Sequence, residues 1–351
     1  MNVRTTTRGM TLVELMVGMA VGLFVLLVAV SIFVSTRMLQ GVGAASTRMS
    51  ENGRLAMDTL QTDLRNASFL GCRPLLNEPP VSVLNAGDGS FLTAPAGLLG
   101  YRGTGAGFSP ALVGPLAAMP AASGPLPNSD VLTVRVPFDP DGLGIVAAMA
   151  STLAAPQVAA SAPNSTLVAG DIVLVASCKA AAMFQVTEAN PAATGVLTHG
   201  LGGPFVPGNA VADLQQRFRT DATVYKMQTR HYYVAPSALR PGTNSLWRLA
   251  VPGPAEPEEV ASGIDQLAVT YGIDGGAAAG QQNVDHYAGA DGVTAWDKVV
   301  AVRVRMLIAT AKDGVARDHQ SVDFAGATLV AQDKRLRSVL SEVVTVRNGA
   351  P

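Results

Sequence analysis

A chain of 351 residues with net charge −1 and only 15% charged residues carries no global basic field, which argues against a nucleic-acid role. Its length allows one large domain or two medium ones. Glycine (36) and proline (22) are frequent while aromatics make up 5%, a balance that predicts many turns around a modest core, as in β-rich extracytoplasmic proteins.

The chain begins with a short leader, Met1 to Gly9, that contains Arg4 and Arg8 and no acid. From Met10 to Val34 the only ionisable side chain is Glu14. That run is long enough to span a bilayer at about 1.5 Å per residue. The positive flank precedes it, so the leader is expected to stay in the cytoplasm and the bulk of the chain to be exported. A conventional cleaved signal peptide fits poorly, because the apolar run far exceeds the usual ~7–15 residues and no small-x-small cleavage site follows it. A plain signal anchor fits the hydropathy but gives no reason for Glu14, since a carboxylate at the bilayer centre costs about 2.5–3.5 kcal/mol. Gly18 and Gly22 form a GxxxG pair on one helical face, where small residues let backbones approach closely.

Past Val34 the chain turns polar without a breaker. Apolar residues recur at Leu39, Val42, Met49, Ala56, Leu60, Leu64 and Ala67, which fits an amphipathic helix with one face on a globular head. Gly41, Gly43 and Gly53 weaken it locally. Continuous with the apolar run, it would extend from about Thr11 to Phe69, near 90 Å, and stop at Gly71 and Pro74; a separate helix after a hinge near Gly41 is the alternative. Residues 74–128 read as long loops with occasional short strands. Strand patterns follow at Ser129–Phe138, Thr166–Cys178, Met183–Glu188, Ala222–Ala235, Ser245–Val251, Asp265–Ile273, Asp297–Thr310 and Ser341–Asn348. In VAVRVRML, Arg303 and Arg305 share a face opposite Val302 and Val304. The stretch EEVASG reads as a helical turn ahead of its strand.

Little chemistry is legible in the head. The four histidines, His199, His231, His286 and His319, match no metal or triad spacing and read as ordinary strand or surface residues. Asp139 and Asp141 in FDPDGLG read as a turn, because the other ligands of a calcium loop are missing. Arg303, Arg305, Arg335 and Arg337 form either a local basic face or a solvated strand face. No phosphate-binding or dinucleotide fingerprint occurs, and neither enzyme activity, a cofactor nor a metal is expected. The two cysteines, Cys72 and Cys178, follow a predicted helix and end a predicted strand. In an oxidising compartment a bridge between them would close a loop of about 100 residues, worth about 4–5 kcal/mol in the chain-entropy account; two buried free thiols are the alternative.

The order of residues in RGMTLVELMVGMAVG resembles the class III signal of type IV pilins and type II secretion pseudopilins: a basic leader ending in Gly9, an apolar Met10 and a carboxylate four positions on. The resemblance implies that prepilin peptidase cuts between Gly9 and Met10 and methylates the Met10 amine. Glu14 would then be the fifth residue of a mature chain of 342 residues, 351 less the nine-residue leader. It also implies a partner for the carboxylate, the amino terminus of a neighbouring subunit; opposite charges ~4 Å apart attract by about 4 kcal/mol at an effective dielectric of ~20, comparable with the insertion cost. Many major pilins carry a proline midway along this helix, whereas this chain has none between Met1 and Arg73. Further on, FLGC, DIVLVASCKAAAMFQVT, VASGIDQLAVTYGID, VVAVRVRMLIAT and RLRSVLSEVVTVRN, in that order, resemble the PilW-type minor pilin of the type IV pilus.

That resemblance implies an α+β fold: a long N-terminal pilin-like helix, membrane half plus amphipathic half, packed on a mostly antiparallel β-rich globular head. The expected organisation is a prepilin leader (1–9), a transmembrane helix (10–36), its amphipathic continuation (37–71) and a periplasmic head with long loops (72–351). The implied function is a minor pilin that helps initiate assembly and lies at or near the pilus tip, first in the inner membrane and then at the cell surface. The implied partners are other minor pilins, the major pilin, prepilin peptidase, the inner-membrane assembly platform and a large tip adhesin. Two other readings stay open: a tip-complex pseudopilin of type II secretion, which shares the same helix, and an adhesive or ligand-binding head on a filament stalk.

Overall fold

A computed structural model describes residues 10–71, 80–85, 97–162, 166–202, 204–253, 256–275 and 283–346. One helix, α1 (Leu12–Asn66), runs unbroken for 55 residues, about 80 Å at the rise of an α-helix. No hinge occurs at Gly41 or Gly43, so the two predicted halves are one element. Thr11 caps its start. Its end comes earlier than the glycine at 71 implied: Ala67 is extended and Ser68 takes a left-handed φ of 60°. The physical cause is tertiary. Ser68 is fully buried, and the backbone at Gly97 lies so close that a Cβ there would sit 2.8 Å from the Ser68 nitrogen.

The strands, in chain order, are β1 (Val81–Ser82), β2 (Leu98–Gly103), β3 (Phe108–Ser109), β4 (Val131–Pro137), β5 (Leu143–Ala147), β6 (Gln157–Val158), β7 (Ile172–Ala176), β8 (Ala181–Gln185), β9 (Thr223–Pro236), β10 (Asn244–Val251), β11 (Glu258–Ser262), β12 (Ile264–Ile273), β13 (His286–Ala288), β14 (Val299–Ala309), β15 (Ser321–Phe324), β16 (Ala327–Val330) and β17 (Arg337–Thr345). An 11-stranded sheet is organised around β9, which pairs antiparallel with β4, β5, β7 and β10. A four-stranded sheet has the order β13-β12-β14-β17, and β15 and β16 form a separate ribbon. Only β1 and β8 pair parallel among these strands. The fold is therefore α+β with a mostly antiparallel, β-rich body.

Two local expectations change. EEVASG is not a helical turn but strand β11, paired with β10 through Leu246↔Ala261 and Arg248↔Glu258; Gly263, with φ 83°, makes the turn directly into β12. The docking face of α1 begins at Met49, whereas Leu39 is 71% exposed. Both differences come from tertiary contacts: pairing with β10 overrides local helix propensity, and the head simply does not reach Leu39.

One core joins the helix to both sheets. Met57, Leu60 and Leu64 of α1 pack with Val134 of β4, Val234 of β9, Ile264 and Val269 of β12, and Val302, Val304 and Met306 of β14. Period-2 alternation on β14 sends Val302 and Val304 into that core and leaves Arg303 and Arg305 half-buried on the opposite face. A second cluster, including Val173, Val175, Phe184 and Val224, lies under β7, β8 and β9.

Candidate assembly surface along the N-terminal helix

From Met10 to Leu39 every residue is exposed. Leu12, Met19, Leu23, Phe24, Leu27, Ile32 and Phe33 are each at least 60% exposed. A soluble helix with that composition would bury one face, so this stretch is fit for a lipid or protein environment outside the chain. Gly18 and Gly22 share the bare surface, with no atom within 4 Å of where a Cβ would stand. They leave a shallow strip where another helix can approach.

Glu14 has a partner within its own chain. Its carboxylate accepts from the Thr11 N–H at 2.9 Å and the Thr11 hydroxyl at 3.0 Å, while the Thr11 Oγ1 accepts from the Glu14 N–H at 3.3 Å. This reciprocal capping box satisfies donors that the first helical turn leaves open. Its signal was present in the sequence as Thr-x-x-Glu before an apolar run, a pattern the charge-based reading passed over. A carboxylate already bonded at the helix start is less costly in a membrane than an isolated one. The cap leaves Glu14 exposed, and therefore reachable by a second subunit. Gly9 and the leader lie outside the described residues; Met10 is exposed at the foot of the helix.

The other half of α1 is fastened to the head at three levels. Asn52 donates through its side-chain amide to the Ser262 carbonyl at 3.0 Å. At Gly53 an added Cβ would lie 2.6 Å from Leu340 Cδ1 and 3.1 Å from Ile308 Cδ1, so glycine is what lets β14 and β17 approach the helix. Near the far end, buried Asp63 accepts from Arg230 at 2.7 Å and from the Tyr232 hydroxyl at 2.5 Å. Burial and the neighbouring Asp63 charge push the Tyr232 hydroxyl well above its usual range. None of the three was read from the sequence: Gly53 was read as a local weakness of the helix, and Asn52 and Asp63 carry no signal that sets them apart from other polar helix residues.

The four arginines do not form one basic face. Arg335 and Arg337 bond Asp265 at 2.9 and 3.1 Å, and Arg337 also pairs with Asp333. The Arg337 guanidinium holds the Asp333 carboxyl down at about 2. Arg303 lies 3.8 Å over the Tyr287 ring. His231 is buried against the Thr133 hydroxyl at 2.9 Å, and burial depresses its imidazole to about 4. His199 is also buried, whereas His286 and His319 are exposed. Among the described residues no group of His, Cys, Asp or Glu could hold a metal ion. Asp139 Oδ1 accepts from the Asp141 N–H at 3.0 Å and Gly142 has φ 63°, the turn expected of FDPDGLG. Cys178 follows β7, while Cys72 lies outside the described residues; Gly71, next to Cys72, lies against Ala176, where an added Cβ would be 2.9 Å from the alanine Cβ.

The strands that grip α1 from one side, β11, β14 and β17, all fall in the last third of the chain. Residues 231–348 match the family described as type IV pilus-assembly protein W. The match supports a type IV pilus assembly protein. It begins within β9 and takes in β10 to β17, including the whole four-stranded sheet, Tyr232 and the Gly53 contacts. It does not extend to α1, whose bare apolar stretch is consistent with a membrane anchor. No curated protein and no solved structure matches the chain.

Proposed function

We propose that this pilus assembly protein is a minor pilin. Prepilin peptidase cleaves it between Gly9 and Met10 and methylates Met10; α1 then holds it in the inner membrane with the head on the periplasmic side. From there it joins other minor pilins and the major pilin to initiate the filament and stays at or near the tip. The observation that carries this reading is the single continuous helix: roughly half of it is bare and apolar, and the other half is built into a head whose C-terminal part, residues 231–348, matches a pilus assembly family. A helix half clad by its own head can be withdrawn from lipid into a filament without unfolding that head. The role is structural and not enzymatic, and the head's bulk favours few copies at a capping position. Oxidation in the periplasm would link Cys72 to Cys178, for which the approach of Gly71 to Ala176 gives geometric support.

The test is mass spectrometry of the protein recovered from a host that expresses prepilin peptidase. A chain beginning at N-methylated Met10 is expected, and a retained leader refutes the pilin reading. Counting surface pili and type II secreted substrates in a deletion strain separates pilus from pseudopilus: loss of pili with secretion intact is the expected result.

A further inference from the structure

β17 is the outer strand of the four-stranded sheet and pairs with β14 alone. The ladder fixes which of its backbone groups are used. Val346 donates its N–H to the Val300 carbonyl and the Leu336 carbonyl accepts from the Thr310 N–H, each at 2.9 Å, and pairing runs without a break between them, from Ala301↔Thr345 to Ala309↔Arg337. Residues that bond a given neighbour alternate along an antiparallel strand, so the even-numbered residues of β17 face β14. Arg337, Val339, Ser341, Val343 and Thr345 turn their N–H and C=O groups the other way. The N–H of Arg337 is closed by the chain itself, donating to the Gln320 side-chain oxygen at 2.5 Å. Over residues 339–345, about 20 Å at ~3.3 Å per residue, the outward backbone groups have no hydrogen-bond partner among the described residues.

Other sheet margins in this protein offer less. β1, β3 and β6 have two residues each and β13 has three, and the Ser262 carbonyl of β11 is taken by Asn52 of α1. β17 has nine residues, no proline, no lysine and no bulge. Long straight edges template pairing with another chain, and native proteins blunt those that must stay single with short strands, lysine, proline, bulges or a cover. Past Arg337 the only charge on β17 is Glu342, which is exposed and forms no ion pair among the described residues.

The flanks of the edge describe its occupant. Leu340 and Val344 share a face with Glu342; Leu340 packs on Gly53 and Val344 is buried. In a strand added here, the residue opposite Glu342 falls at a non-hydrogen-bonded pair, the closer kind, where a basic side chain balances the carboxylate. A second copy does not fit. α1 packs on the face of this sheet, and antiparallel pairing of two identical edges sets the twofold axis normal to that face, turning the two α1 helices in opposite directions. Both could not then enter one membrane, the location proposed above, on which this inference rests.

We propose that β17 is a strand-addition site for a different pilin-type subunit held in the same membrane. An extended segment of that subunit pairs antiparallel with residues 339–345, sets a lysine or arginine against Glu342 and lays apolar residues beside Leu340 and Val344. The four-stranded sheet then continues across the subunit boundary, and the main-chain bonds supply affinity while Glu342 selects the strand. The pairing joins neighbouring heads beside the contact between their helices.

Hydrogen exchange at single-residue resolution tests this, on the full chain in micelles, alone and co-purified with the other minor pilins and the major pilin of its own host. Alone, the amides of Val339, Ser341 and Val343 should exchange about a hundredfold faster than those of Leu340, Glu342 and Val344; in the complex they should slow by about tenfold or more. Val343→Pro removes an outward N–H and no bond to β14, so the urea midpoint should stay near wild type while recovery of the partner falls about tenfold. Glu342→Lys, a change at an exposed side chain, should lower recovery about fivefold. Outward amides that stay open in the complex overturn the proposal, as does partner recovery unchanged in both variants or no pilin recovered with the wild type. Slowed outward amides in a dimer of this chain alone, seen by native mass spectrometry, overturn it in favour of a second copy. Leader processing separates the two readings: a chain cleaved and N-methylated at Met10 whose β17 amides stay open refutes the edge alone, whereas a retained leader refutes the pilin reading beneath it.

Discussion

Asp63 is the side chain through which the far end of α1 is bonded most strongly to the head, and replacing it with alanine tests whether helix and sheet are one cooperative unit. The carboxylate is buried, 4% exposed, with Arg230 at 2.7 Å and the Tyr232 hydroxyl at 2.5 Å. Removing one partner of a buried pair costs about 3–5 kcal/mol, because the other charge stays buried and uncompensated. Arg230 keeps 17% of its side chain exposed, so water relieves part of that penalty and the low end, about 3 kcal/mol, applies. Tyr232→Phe removes only a hydrogen bond to a charged group and should cost about 1.5–3 kcal/mol. The double variant should cost less than the sum of the two, since both changes act on the same carboxylate. Urea unfolding of the full chain in micelles measures this through Trp247 and Trp296, both in the head. With a slope of about 3 kcal/mol per molar urea, Asp63→Ala should lower the midpoint by about 1 M. Asp58→Ala, one turn away on the exposed face, should shift it by no more than about 0.2 M, the size of a surface change. Equal midpoints for Asp63→Ala and Asp58→Ala would refute a helix locked to the sheet by this cluster.

Four further outcomes follow from local geometry. Gly43→Ala should stabilise the protein by up to about 1 kcal/mol, because nothing stands within 4 Å of the new Cβ and helix propensity alone acts. Gly53→Val should destabilise it by about 1–3 kcal/mol, since the branched side chain must displace Leu340 and Ile308; melts of the two variants shifting in the same direction would contradict the packing. The imidazole of His231 lies below its unfolded value, so the folded state favours the neutral ring and the contribution is present above about pH 6.5 and lost as pH falls toward 4. Between pH 7.5 and 5, where most carboxylates remain ionised, stability should fall by about 2 kcal/mol, with His199 acting in the same sense; a urea midpoint unchanged over that range in the wild type counts against this. Finally, Glu14→Ala should lower surface pilus counts while Thr11→Ala, which removes only the cap, leaves them near normal; equal loss in both would reduce Glu14 to a capping residue.

The amino-terminal helix of this protein was legible because its signals are local. A basic leader, an apolar run of membrane length, one carboxylate and a polar continuation at helical spacing specify a helix from Thr11 onward, whatever follows in the chain. The strand patterns of β4, β9, β12 and β14 were legible for the same reason: residue alternation and β-branched runs are read over a few positions. The end of α1 at Asn66, the strand in place of a turn at Glu258, the role of Gly53 and the burial of Asp63 were not. Each depends on an element distant in sequence: Gly97 against Ser68, β10 beside β11, Leu340 over Gly53, Arg230 and Tyr232 around Asp63. Sequence alone determined that a helix can anchor this chain in a membrane; tertiary contacts decided where the helix ends and how the head grips it, because charge pairs and close approaches form between residues that only folding brings together.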